Sequence, residues 1–320
     1  MTGDLIISSE LSLNGFNLTL EGNWNNVGTF TPVAQDVIFL GTNDQTVTNA
    51  SGETFFNLTI NKATGTLSLA NNVTATNRLT MAEGTVNTGA NILTLGTNAI
   101  IEGTLVHTSG TIVGNFQRFV NSSSSLLFPV GTTTDFRPAT LQFGGFSSGG
   151  SIIASFEELA PGNNGLPITD GAVTVQNTFS EGYWSLAMPN VIGFTDFDID
   201  LTGNGFNSFG IDADTRILSR TTAAAPWAAN GDHVAASGVT AQRDNIGTLP
   251  LELVFADDTP CDLPTTSAIT RAVAGSDCIN DAGVVYQVTN TPGSTYTWTV
   301  AGGTITSGQG SNAVTITWGA

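Results

Sequence analysis

The sequence predicts an all-β fold, an N-terminal β-solenoid followed by an antiparallel β-sandwich and an immunoglobulin-like sandwich, and three observations carry that expectation. Glycine (37 residues) with abundant Thr, Asn and Ser, against a single lysine, Lys62, leaves few long unbranched side chains that favour helices and many turn formers and β-branched residues. Apolar and polar residues alternate over short runs, which sends successive side chains to opposite faces of a strand. A motif also recurs at a fixed interval, because Gly65-Thr66-Leu67, Gly84-Thr85-Val86 and Gly103-Thr104-Leu105 lie 19 residues apart.

Residues 1–118 are expected to form the solenoid. Glu83 and Glu102 extend the last two copies of the motif to aligned tetrads, and upstream Met81 aligns with Ile100 and Val73 with Ile92. A second signature, Leu-Thr-apolar, appears at Leu18-Thr19-Leu20, Leu58-Thr59-Ile60, Leu79-Thr80-Met81 and Leu93-Thr94-Leu95. Leu18 and Leu20 then enter one core while Thr19 faces water. Short strands at a near-constant period let each coil cover the apolar face of the last. Antiparallel hairpins are the competing reading, since pairs such as Asn14-Gly15 also mark hairpin turns, and the fixed spacing argues against it.

Residues 119–257 read as a β-sandwich, with longer alternating segments such as Thr140 to Phe143, Ser151 to Phe156, Phe194 to Leu201 and Leu249 to Phe255. A linker, Asp257 to Pro264, opens the third segment, 258–320, whose strands run through Val284 to Val288, Ser294 to Val300 and Ala313 to Trp318. About 60 residues follow the linker, fewer than the ~100 of an immunoglobulin-like domain, so at least one strand is expected to be missing.

Net charge is −18 and the pI about 4.1, a field that repels nucleic acid and anionic lipid surfaces. No nucleic-acid partner and no membrane insertion in this segment are expected. The start, Met1 to Leu5, has neither the basic nor the apolar stretch of a signal peptide, so the chain reads as a mature form or an excised piece.

Several residues invite a chemical reading. Asp196, Asp198 and Asp200 fall on one face of a strand, and Asp212 with Asp214 and Glu157 with Glu158 form further pairs. These carboxylates make either a solvated strand face or a calcium site, calcium being the one cofactor their oxygens suit. A glycosidase needs two carboxylates facing each other across a cleft, which sequence spacing does not establish. Gly145-Phe146-Ser147-Ser148-Gly149 matches G-x-S-x-G, but a loop between two strands is expected there instead of a strand-to-helix elbow. His107 and His233 lack companion ligands, and Thr46-Val47-Thr48 and Thr74-Ala75-Thr76 do not recur as an ice-binding array requires. Trp298 is expected in a core, while Trp184 and Trp227 either pack or stack on sugars. Cys261 and Cys278 are disulfide candidates, paired with each other or with residues outside the chain, and no metal-ligand cluster surrounds them.

From Cys278 to Gly319 the chain, with VYQV and GSTYTWTVAGGTITSGQGSNAVTITWG, resembles the PKD-like immunoglobulin modules found in tandem in large surface and gliding-associated proteins of the Bacteroidota. The runs FFNLTINKATGTLSL and NILTLGTNAIIEGTL are similar to β-solenoid regions of secreted proteins from that phylum. Together these resemblances imply type IX secretion and an extracellular or cell-surface location. The implied role is non-enzymatic: a structural or adhesive module serving adhesion, gliding or matrix scaffolding, with no catalytic residues. A polysaccharide-binding or polysaccharide-degrading protein is the alternative. Expected partners are neighbouring modules of the same protein, other copies of the chain joined edge to edge into a filament, and surface glycans.

Overall fold

The computed structural model describes residues 1–258, 267–272, 278, 280–291 and 294–319. All regular structure among them is β, with no helix. The chain divides into two compact units, Met1–Pro260 and Cys261–Ala320.

The first unit opens as a three-sided parallel solenoid. On one side Leu5 pairs with Trp24, Trp24 with Val47, Gln45 with Leu67, Leu67 with Val86 and Val86 with Ile112. On the second, Leu18, Val37, Leu58, Leu79 and Leu105 succeed one another in register. The third carries Phe55 on Ala75 and Leu93 on Phe116. Strands Glu53–Leu69 and Val73–Leu95 turn corners and so serve all three sides.

Alternation explains the core. Leu20, Phe39, Ile60 and Met81 are neighbours in register and fully buried, whereas the intervening Thr19, Ile38, Thr59 and Thr80 point outward. Each such buried side chain contributes roughly 1.5–3 kcal/mol relative to exposure.

The corners are held by short polar side chains that cap the next coil. Asp4 Oδ1 accepts from the Asn23 amide, Asn23 Oδ1 from Thr46, and Asp44 Oδ1 from Thr66, all at 2.8 Å. Asn17, Asn71 and Asn72 accept in the same way from Asp36, Asn49 and Ile92. The abundance of Asn therefore serves the turn backbone, which has no ladder partner of its own at a corner.

The repeat differs from its expected register in one respect. Thr66 does pair with Thr85, but Thr85 pairs with Thr111, and Thr104 of the third copy pairs with Arg78 on another side. A turn between Gly96 and Gly103, in which Asn98 Oδ1 accepts from the amides of Ile100 and Ile101, lengthens that coil. Met81 accordingly stacks on His107, and Ile100, its expected equivalent, is 86% exposed.

The expected boundary at 118–119 falls inside strand Thr111–Val120. That strand pairs in parallel with solenoid strand Val73–Leu95 and in antiparallel fashion with Gly150–Glu157. The sheet continues through Tyr183–Asn190 and Leu251–Asp257, where Arg216–Arg220 joins it. A second antiparallel sheet runs in the order Leu126–Phe128, Ala139–Gly144, Asp196–Thr202, Thr240–Ile246, Asp232–Ser237. Its inner face packs on the first sheet, and one hydrophobic core runs without a break from Ile7 to Phe255.

The second unit contains one antiparallel sheet among the described residues, ordered Thr270–Arg271, Val284–Gln287, Ala313–Trp318, Gly303–Ser307. The run Ser294 to Val300, expected as a strand, forms none and meets the turn between Gly303–Ser307 and Ala313–Trp318, through an isolated bridge of Tyr296 to Gly310 and bonds of Trp298 to Gln309 and Ser311.

Candidate functional site

Asp196, Asp198 and Asp200 alternate with the buried Phe197, Ile199 and Leu201 along one strand, so all three carboxylates face outward. Asp198 Oδ1 accepts from the Asn245 amide at 3.0 Å and Asp200 Oδ1 from Gln242 Nε2 at 2.9 Å. Asp196 Oδ2 accepts from Thr195 Oγ1. Asp212 and Asp214 lie in a separate turn, where Asp212 Oδ1 accepts from the Asp214 amide and Asp214 approaches Arg216 at 3.7 Å. Among the described residues no three Asp, Glu, His or Cys side chains converge as metal ligands. On the outer sheet face Asp244 titrates above the usual carboxylate range, chiefly through partial burial and then through the neighbouring charges of Asp198, Asp200 and Asp232.

Gly145 to Gly149 is a loop between strands Ala139–Gly144 and Gly150–Glu157, pinned by Ser147 N donating to Gly193 O, and no helix follows it. Trp184 and Trp227 belong to cores. Trp184 donates to Arg137 O and lies 5.0 Å from the rings of both Phe156 and Phe255, while Trp227 donates to Gly162 O beneath the Arg220 guanidinium. Trp298, expected in a core, is only half-buried, donates to Ser311 O, and borders an apolar groove with Tyr286 and Trp318. Cys278 is exposed, and Cys261 lies outside the described residues.

Interior positive charge is the feature that composition alone did not reveal. Of eight Lys and Arg residues, Lys62, Arg137, Arg216, Arg220 and Arg243 are buried. Asp170 accepts from Arg243 Nη1 at 2.6 Å and forms an ion pair with Arg216, whose Nε lies 3.3 Å away, and Glu252 accepts from Arg220 Nε at 2.6 Å. His233 Nε2 sits 2.9 Å from Arg216 Nη1, and both burial and that guanidinium hold its pKa below the ordinary histidine value. Sequence spacing offered no signal for this cluster, since Asp170, Arg216, His233 and Arg243 come from four separate strands.

His107 closes the solenoid near Phe136, their rings stacked 5.1 Å apart with an interplanar angle of 13°. They border a cleft of about 360 Å³ that also takes in Thr85, Ser109, Thr111 and Thr133.

These features define an all-β protein built from a parallel solenoid whose sheet runs on into an antiparallel sandwich, with a separate C-terminal β unit. That C-terminal unit is similar to a known family: residues 263–320 match the PKD-like domain. No curated protein and no solved structure matches the chain. No helix among the described residues is long and apolar enough to cross a membrane.

Proposed function

We propose that the chain is a non-enzymatic structural or adhesive module of an extracellular bacterial surface protein, of the type IX-secreted kind found in the Bacteroidota. The observation that carries this reading is the unbroken core from Ile7 to Phe255. It makes solenoid and sandwich one stiff body whose outer positions are rich in Thr, Asn and Asp, and the PKD-like match gives that body the company of an extracellular module. Asp198 and Asp200 each accept a hydrogen bond from the protein, which suits outer carboxylates that serve as a solvated strand face. Its partners in this reading are adjacent modules, further copies of itself and surface glycans.

The test is antibody labelling of intact cells carrying the full reading frame, combined with a reducing-sugar assay on neutral polysaccharides. Surface labelling without turnover is expected. Turnover abolished by a single carboxylate substitution, or labelling only after permeabilisation, overturns the reading.

A further inference from the structure

We infer that the cleft bordered by His107 and Phe136 binds a neutral saccharide. The inference deepens the adhesive reading by giving it a ligand class, and it starts from the register of the solenoid. Leu67, Val86 and Ile112 are buried, so their neighbours Thr66, Thr85 and Thr111 point outward. Thr85 pairs with both of the others, which makes a row of three hydroxyls separated by the interstrand spacing of about 4.8 Å. That spacing is close to the advance per residue of an extended glycan chain.

The row leads into the cleft. At its floor Gly84 and Gly110 stack with positive φ, and a Cβ on Gly110 would lie 2.6 Å from Gly84 O, so the bare backbone leaves the space open. The far wall is the turn Thr132 to Phe136. It is fixed by Thr132 Oγ1 accepting from the amides of Thr134 and Asp135, and by a bridge between Gly131 and Phe136. Val130 ties this turn to Ile112 of the solenoid, so the wall is held by the same ladder that carries the row.

The chemistry of the lining selects the ligand. His107 Nε2 faces the Gly110 carbonyl at 3.0 Å, which accepts only, so Nε2 donates there and Nδ1 is left for a ligand. The hydroxyls of Thr85, Ser109, Thr111 and Thr133 make no hydrogen bond within the described protein, and each offers a donor and an acceptor. The half-buried rings of His107 and Phe136, stacked on each other, add aromatic surface to the lining. No Lys, Arg, Asp or Glu lines the cleft, and the chain's charge of −18 repels anions. Paired hydroxyl donors and acceptors beside aromatic surface, without fixed charge, match an uncharged sugar; a phosphate or acidic glycan finds no cation here.

The full chain is titrated by calorimetry with cellohexaose, laminarihexaose and xylohexaose. Binding of at least one is expected, weakened about tenfold or more by His107→Ala and by Phe136→Ala. Because Phe136 also packs, Ser109→Trp serves as the second variant: it fills the cleft from an exposed position and is expected to abolish binding with an unchanged melting temperature. Failure of all three sugars to bind, or undiminished binding by Ser109→Trp, overturns the proposal and leaves the structural role standing. Release of reducing ends from a bound sugar instead overturns the non-enzymatic reading and leaves the cleft in place.

Discussion

Lys62, the only lysine of the chain, donates from Nζ to Gln45 Oε1 at 2.7 Å inside the solenoid, one coil from its own strand position. Nζ also donates to Asn43 O at 2.7 Å, and Gln45 Nε2 donates on to Gly22 O and Leu20 O. Three successive coils are thereby stitched through one amide. Burial pulls the pKa of Lys62 below the ordinary lysine value, with Asp44 opposing. The arrangement makes the amide worth more than the charge it serves. Gln45→Leu removes one of the two acceptors of the buried ammonium, leaving Asn43 O, and is expected to cost about 3 kcal/mol, since hydrogen bonds to charged groups contribute about 1.5–3 kcal/mol. Lys62→Met in the same background is expected to recover part of that loss. Urea denaturation of the two variants and their combination measures it, and additive losses would show that the pair is not coupled.

The Asp170 cluster predicts a larger effect. Asp170 holds two buried guanidiniums, so Asp170→Ala leaves Arg216 and Arg243 without their carboxylate. Breaking a buried ion pair from one side costs about 3–5 kcal/mol. A loss below 1 kcal/mol in chemical denaturation would contradict a structural role for the cluster.

His233 makes that region sensitive to acid. Its folded pKa is depressed by burial and by Arg216, so the unfolded chain binds the proton more readily. The stabilisation is present in full above the unfolded value of about 6.5 and is lost as pH falls through the lowered folded pKa. Wild type is therefore expected to lose more stability between neutral pH and pH 5 than His233→Gln. Asp244 acts with the opposite sign, because its raised pKa makes folding easier once it is protonated at low pH. Melting temperatures of His233→Gln and Asp244→Asn, followed from neutral pH to about pH 3, separate the two contributions.

Two glycines test the coil register. Gly84 has φ +97° and a Cβ there would sit 2.7 Å from Lys62 O, whereas Gly89, with φ +55°, has nothing within 4 Å. Gly84→Ala is expected to cost about 2 kcal/mol or more, and Gly89→Ala about 1 kcal/mol, the strain of a left-handed residue alone. Thermal unfolding orders the two, and equal losses would argue that the coils do not approach closely at Gly84.

The fold class and the inward positions of the coils were legible in the sequence because one-sided burial imposes a period of two, as at Leu18-Thr19-Leu20. The coil at Val37-Ile38-Phe39 escaped notice because its outward residue is Ile instead of Thr, although it stacks in register with the others. Gly103-Thr104-Leu105 misled for the converse reason: a motif specifies a corner and a strand, not which side of the solenoid receives it, and the Asn98 turn moved it. Trp184 and Trp227 were ambiguous because an aromatic ring packs equally well in a core or on a sugar until its N–H finds a partner. The cleft was hidden more deeply, since His107 and Phe136 meet only through the Val130 to Ile112 bridge.

Burial of the cations has one more result. Proteases of the trypsin class cut after Lys or Arg and need that residue in an accessible, pliable segment. Five of the eight such residues are inside, Arg78 and Arg118, partly exposed, are locked in ladder strands, and the eighth, Arg271, belongs to the second unit. Folded in a protease-rich medium, the unit Met1–Pro260 offers such enzymes hardly any place to begin.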